Sequence, residues 1–343
     1  MTRKRLEEIL DSLPKQRIAV VGDLFLDKWL EIDRSLDETS RETGLTAYQV
    51  VSMRLYPGAA GSVLENFAAL GVGKVYAVGF AGDDGEGFEM LRLLQGMRVD
   101  TSHVFTSPDV LTPTYTKPIF MKPDGHEETH RLDHKNVKPT PAHLEEKLIN
   151  AIRELAPQVD AMVAIDQLDD EGLGVLTPAV RQAISEAALA FSDKVFYVDS
   201  RAHCRKFENM VIKCNDIEIA KIFCPEAAGR LSVEELKALM PQLASLTNGQ
   251  VFVTCGEKGV LAQQDEAEVL LVPTIPQTER IDIVGAGDGC TSGIVTALCA
   301  GGTPEEAAFL GNLVSSITIQ AIGTTGTATS EQVLKRFGEF FEA

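Results

Sequence analysis

Short apolar runs alternate along this chain with longer amphipathic stretches, and the alternation predicts its elements. Arg17-Ile-Ala-Val-Val-Gly22 is a continuous apolar run, suited to a strand buried on both faces of a parallel sheet. Similar runs predict strands at Val75–Gly79, Ala161–Ile165, Val195–Val198 and Val251–Thr254, with a short one near Ile217. Helical periodicity covers 142–155, 175–191, 232–246 and 304–321, and a helix with small residues on one face covers Gly58–Leu70. Ser232 with Glu235, and Thr303-Pro304 with Glu306, supply helix starts. Residues 1–16 predict a short charged helix ending near Pro14. Two polar, β-biased stretches, about 28–55 and 112–133, interrupt this order, and the second contains the turn signal Pro123-Asp-Gly125.

Helices alternating with buried strands imply an α/β fold, a doubly wound and mainly parallel sheet whose ligands sit beyond the carboxyl ends of the strands. The two β-biased inserts are expected to form a small β lid on a domain spanning 17–343, preceded by a helical extension over 1–16.

Composition narrows the partners. The 343 residues carry a formal charge of −18, and 50 acidic side chains would repel a nucleic-acid backbone. A phosphorylated small molecule needs only a local positive pocket, so it stays in play. No basic segment followed by an apolar core opens the chain, and no apolar run approaches the ~18 residues of a membrane span. A cytoplasmic protein with no membrane partner is expected. Six cysteines without a C-x-x-C pattern fit reduced thiols.

The most informative stretch is Asp282-Ile-Val-Gly-Ala-Gly-Asp288, followed by a small-residue helix pattern from Cys290. Gly285, Ala286 and Gly287 have almost no side chain, so their amides can crowd an anion, and the helix adds its positive end. That field is expected to keep Asp288 ionised. A carboxylate beside a phosphate cradle can take the proton of an attacking hydroxyl, which is phosphoryl transfer to an alcohol. A plain glycine turn between strand and helix is the alternative.

The motif resembles the signature of the ribokinase-like, or phosphofructokinase B, carbohydrate kinases, and the resemblance runs in family order from about Arg17 to Thr327. It implies ATP and Mg²⁺ as cofactors, a sugar or sugar phosphate as acceptor, and a homodimer. Asn215-Asp-Ile-Glu218 resembles the family's Asn-x-x-Glu, with Glu218 holding Mg²⁺ through water. Thr254-Cys-Gly256-Glu-Lys-Gly259 resembles the nucleotide turn, and Asn312 the position bordering adenine. Asp27, with Asp23 close behind, matches the first sugar-contacting segment. Gly58, Ala59 and Ser62 match a glycine-rich, sugar-binding helix start, although the family's second glycine is here Ala59 and its usual Asn is Ser62. Asp166 matches an acidic sugar contact. Asp282 and the loop Gly323-Thr-Thr-Gly326 match the place of a monovalent cation, with K⁺ the candidate.

Among family members the chain is most similar to bacterial heptose 7-phosphate kinases, through Val20–Asp27, Thr112–Lys117 and Arg131-Leu-Asp133. Lys117 and Arg131 would then neutralise a phosphate already on the acceptor; solvated strand residues are the alternative. No second, nucleotidyl-transferring domain such as some relatives carry is expected. The resemblance leaves open a free sugar such as ribose or fructose, and a weakly catalytic sugar-binding regulator. His126-Glu-Glu-Thr-His130 spells a zinc-peptidase pattern, but that chemistry needs a helix. On a strand, residues four apart lie about 13 Å from each other. Gly71-Val-Gly-Lys74-Val likewise lacks the spacing of a Walker loop.

Overall fold

The computed structural model describes all residues except 123–124, 266–267, 278–279 and 343. The Pro123-Asp turn signal therefore lies outside the described residues. A nine-stranded sheet forms the centre. From edge to edge it runs β16 (Val269–Val272), β15 (Val260–Gln263), β14 (Val251–Thr254), β13 (Val211–Asn215), β12 (Val195–Ser200), β11 (Ala161–Asp166), β1 (Arg17–Gly22), β6 (Lys74–Gly82) and β7 (Asp100–Ser107). Strands β14 through β7 pair in parallel; β15 and β16 add an antiparallel edge.

Each buried strand feeds two cores, because successive side chains leave opposite faces. Ile18 and Val20 join one cluster with α1 (Arg3–Ser12), α2 (Ala60–Leu70), α3 (Gly85–Gly96), α8 (Ala286–Cys299), α9 (Pro304–Thr318) and α10 (Ser330–Phe341). Ala19 and Val21 join the other, with α4 (Ala142–Leu155), α5 (Pro178–Ala190), α6 (Asp216–Phe223) and α7 (Val233–Thr247). The amino-terminal helix is part of this packing: Leu6, Ile9, Leu10 and Leu13, one helical stripe, are buried in the first cluster.

A second, five-stranded sheet stands over the carboxyl ends. Its order is β10 (Leu132–His134), β8 (Thr114–Lys122), β2 (Leu24–Ile32) and β5 (Val50–Ala59), with β9 (Gly125–Glu128) on β8. Strands β3 (Glu38–Thr39) and β4 (Thr46–Ala47) make a separate ribbon. This is the β lid expected from the two inserts, and it starts earlier than its polar composition indicated, at Leu24. Most predicted elements appear within a few residues of their expected ends. One does not. A strand was expected near Ile217, but the strand is β13 and Ile217 lies in the first turn of α6, since Asn215 and Glu218 form a capping box that starts a helix there. The helix expected from Cys290 begins at Ala286, four residues sooner.

Ala59, the residue before α2, adopts φ 54°, ψ −122°, a conformation that suits glycine and strains any residue with a Cβ. Ala59→Gly should raise stability by about 1 kcal/mol in urea unfolding; a loss of stability would remove the strain assignment.

Candidate active site

All the parallel strands end on one side, and a cleft of about 370 Å³ opens there beneath the small sheet. Its wall contains Gly285, Gly287 and Asp288 from the start of α8, Glu218 from α6, Asp27, Lys117 and Arg131 from the lid side, and Gly58, Ala59 and Ser62 from the approach to α2. Residues far apart in sequence thus meet as the motifs required.

The turn into α8 is built for close approach. Gly285 has φ 80°, and a Cβ there would lie 2.6 Å from the Thr325 methyl group. The amides of Gly285, Gly287 and Asp288 have no protein acceptor among the described residues, as the first turn of a helix permits. Ala286 is a correction: its N–H donates to the Ile283 carbonyl at 3.1 Å, closing the turn instead of facing an anion.

Asp288 keeps its expected charge at neutral pH, but by a smaller margin than an ordinary carboxyl. Its pKa is pushed up to about 6, first by burial and then by the negative charge of Asp199; Ser62, Lys213 and Arg201 pull it back only in part. Burial is the largest influence and acts against the anion. Beneath Gly287 lies a buried ion pair. Lys213 Nζ sits 2.8 Å from Asp199 Oδ2, and the Thr291 hydroxyl donates to the same oxygen at 3.1 Å. Lys213 is pushed above the ordinary lysine range: the carboxylates of Asp199 and Glu218 prevail over burial, the largest single influence, which acts the other way. Its ammonium would lie 3.3 Å from a Cβ at position 287, a tight contact against a side chain held by Asp199.

At the other end, burial raises the Asp27 carboxyl while Lys117 and Arg131 lower it. Lys117 Nζ lies 4.9 Å above the Trp29 ring. Arg131 is fixed by a two-pronged bond to Asp133, at 2.6 and 2.8 Å, and stacks 4.1 Å over Tyr115. The Ser62 hydroxyl is buried without a hydrogen-bond partner, although it lies near enough to Asp288 to favour its anion.

Two expected acceptor contacts are corrected. Asp166 is buried and committed to the frame: its Oδ2 accepts from the Ser200 hydroxyl at 2.8 Å and bonds His203 Nδ1 at 3.0 Å. Its neighbour Gln167 reaches the cleft instead. Asp23 lies in an adjoining chamber of about 160 Å³, where its Oδ1 accepts the Val175 N–H at 2.8 Å.

The nucleotide motifs form a line along neighbouring strand ends. Asn215 pairs in register with Thr254. Asn215 Oδ1 accepts the Glu218 N–H at 2.8 Å and Glu218 Oε2 accepts the Asn215 N–H at 2.7 Å. Burial, ahead of Asp199, raises Glu218 to about 7. Gly256 and Gly259 take positive φ, 56° and 108°, and a Cβ on Gly259 would collide with the Val272 carbonyl. Asn312 is a further correction, because its amide protons are donated to the carbonyls of Val272 (2.9 Å) and Pro273 (3.1 Å), tying down the end of β16. Asp282 accepts the N–H of Gly323 at 3.0 Å and of Val284 at 3.1 Å, which joins the glycine motif to the 323–326 loop. His126 lies on a strand, β9, paired with Met121.

Asp199, Arg201, Lys213 and Tyr115 line the cleft and were not foreseen. Signals existed: Arg201 follows a predicted strand end, and Lys213 interrupts an otherwise apolar run.

The sequence profile of the pfkB family carbohydrate kinases matches residues 15–331, and the chain belongs to that family. It is 26% identical over 336 residues to the bifunctional protein HldE of Trichlorobacter lovleyi, covering 96% of this chain and 65% of that relative, so the chain spans somewhat under two thirds of its length. Arabidopsis thaliana ribokinase, solved with ribose and ATP, superposes with a TM-score of 0.68 at 17% identity, covering 94% and 98% of the two chains. Escherichia coli phosphofructokinase-2, solved with potassium, gives 0.68 at 16% identity, covering 95% and 99%. These likenesses identify the fold as ribokinase-like. No helix among the described residues is long and apolar enough to cross a membrane.

Asp23 titrates at about 7, raised chiefly by burial from an ordinary 3.8. A raised carboxyl stabilises the fold below its unfolded pKa, and this contribution is lost as pH rises through about 7. Asp23→Asn keeps an acceptor for Val175 and should therefore shrink the fall in melting temperature between pH 5 and 8; an unchanged fall would refute the assignment.

Proposed function

We propose that this carbohydrate kinase transfers the γ-phosphoryl group of ATP to a hydroxyl of a sugar phosphate of the heptose 7-phosphate kind. The observation that carries the reading is the convergence in one cleft of Asp288, the free amides of Gly285 and Gly287, Glu218, and a separate cationic pair at Asp27. The acceptor hydroxyl lies against Asp288, which takes its proton as the new O–P bond forms and the bond to the leaving diphosphate breaks. Amides at the start of α8 stabilise the charge on the transferred group. Bound Mg²⁺ would neutralise the donor phosphates, and Glu218, with one oxygen free of protein donors, would hold it through water. Mg²⁺ commonly keeps several waters and binds through one or two carboxylates with the substrate phosphates.

Lys117 and Arg131 bind the phosphate that the acceptor already carries. Asp27 and Ser62 receive its hydroxyls. HldE as the relative of 26% identity supports the heptose phosphate, and kinase activity toward it belongs to this reading. Potassium in phosphofructokinase-2 supports a monovalent cation near Asp282 and the 323–326 loop, steadying the amides. A homodimer is part of the same reading: β5 is a lid edge strand with Val50, Val51 and Met53 exposed.

Asp288→Asn should lower kcat by about 10²- to 10⁴-fold with ATP affinity nearly unchanged. In the wild type, kcat/KM should fall as pH drops below about 6, where the base gains its proton. Wild-type turnover by the variant would end the mechanism. In an ADP-release assay over paired sugars and sugar phosphates, the phosphorylated members should be preferred. Lys117→Ala should raise KM about 10- to 100-fold for them alone. Equal rates on ribose or fructose would favour a free-sugar kinase, and binding without turnover a regulator.

A further inference from the structure

Four cationic side chains line the cleft, and they fall into two groups. Lys117 and Arg131 act on Asp27, at the acceptor end. Arg201 and Lys213 act on Asp288 and Glu218, at the end where phosphorus would change partners. Within the second group the roles differ. Lys213 is buried and held by Asp199 at 2.8 Å, so its charge is largely answered from below. Arg201 is exposed in the cleft, one residue beyond β12. Its backbone N–H is anchored to the Asp166 carbonyl at 3.1 Å, which fixes the root of the side chain. Its guanidinium makes neither ion pair nor hydrogen bond among the described residues, although Asp199, Glu218 and Asp288 line the same cleft.

Such an arginine is a donor fork in search of an anion. A guanidinium keeps its charge at any working pH and presents five N–H groups in a plane. During phosphoryl transfer, charge spreads over three equatorial oxygens of the moving group. The start of α8 offers donors to these oxygens from one element only. Arg201 comes from another, the loop after β12, and lines the same cleft.

We infer that Arg201 is a catalytic residue that donates hydrogen bonds to the non-bridging oxygens of the phosphoryl group in flight. The inference rests on the kinase reading above. The acceptor oxygen bonds to phosphorus, the phosphorus–oxygen bond to the leaving diphosphate breaks, and the hydroxyl proton goes to Asp288. Arg201 neither gains nor loses a proton. The competing role is ground-state binding of an acceptor group in the 160 Å³ side chamber, whose wall Arg201 shares. A cavity of about 150 Å³ holds a benzene-sized molecule, so that chamber could take a small tail of the acceptor. The two roles separate kinetically. A contact made only in the transition state moves kcat, whereas one made equally in the bound acceptor moves KM.

Arg201→Gln and Arg201→Lys test this with two measurements: steady-state kinetics on the preferred sugar, and calorimetric affinity for MgADP with and without fluoroaluminate, a planar mimic of the moving group. For Arg201→Gln, kcat should fall about 100-fold or more with acceptor KM within about threefold of wild type. The tightening of MgADP by fluoroaluminate should be lost, and Arg201→Lys should recover part of both. Unchanged kcat, a rise in KM alone, or retained tightening overturns the inference. A wild type inert on every sugar overturns the kinase reading and this inference together; an active wild type with an equally active glutamine variant overturns this inference alone.

Discussion

Desolvated charge at the carboxyl edge of the sheet is the constraint around which this protein is arranged. A parallel sheet directs all its strand ends to one side, and here that side carries Asp199, Lys213, Glu218 and Asp288 in one small volume. None of these groups is stable there alone. Burial raises Asp288 to about 6 and Glu218 to about 7, while Lys213 sits 2.8 Å from Asp199 in the wall of the cleft. Removing one partner of such a pair leaves an unanswered charge, which is far costlier than never having built the pair. The pair therefore sets the electrostatic level against which the groups above it titrate.

Glycine placement follows from the same crowding. A side chain at 285 would strike Thr325, and one at 287 would sit on the Lys213 ammonium. The bare backbone of this turn serves access from above and clearance from below. The carboxyl that follows the turn, at Asp288, is raised to about 6 by the burial this crowding brings.

Much of this was legible in the residues. Buried strands announced themselves as apolar runs, because both of their faces meet helices. The cleft-forming motifs at 22–27, 57–62, 215–218 and 282–288 could be recognised through their resemblance, in order, to the phosphofructokinase B kinases, and only the glycine turn carried a physical signal of its own. What escaped was pairing. Asp166 looked like a substrate contact until the fold set Ser200 and His203 beside it, and Asn312 looked like a nucleotide contact until Val272 and Pro273 arrived from forty residues away. A polar side chain near a site has a choice of partners, and only the folded chain decides it. Lys213 and Arg201 were missed for the opposite reason. Single cations in or after a strand carry no motif, and their meaning comes entirely from what the sheet puts across from them.

The joints between the two sheets have one more implication. Asp23 alone separates β1 from β2, and no residue separates β5 from α2. There is thus no slack between roof and floor. Asp27 lies on the lid strand β2 beyond the first joint, whereas Ser62 lies on α2, which packs in the main core with α8 beyond the second. Any change in the angle between the two sheets would therefore shift Asp27 against Ser62 and Asp288, which stay with the main sheet.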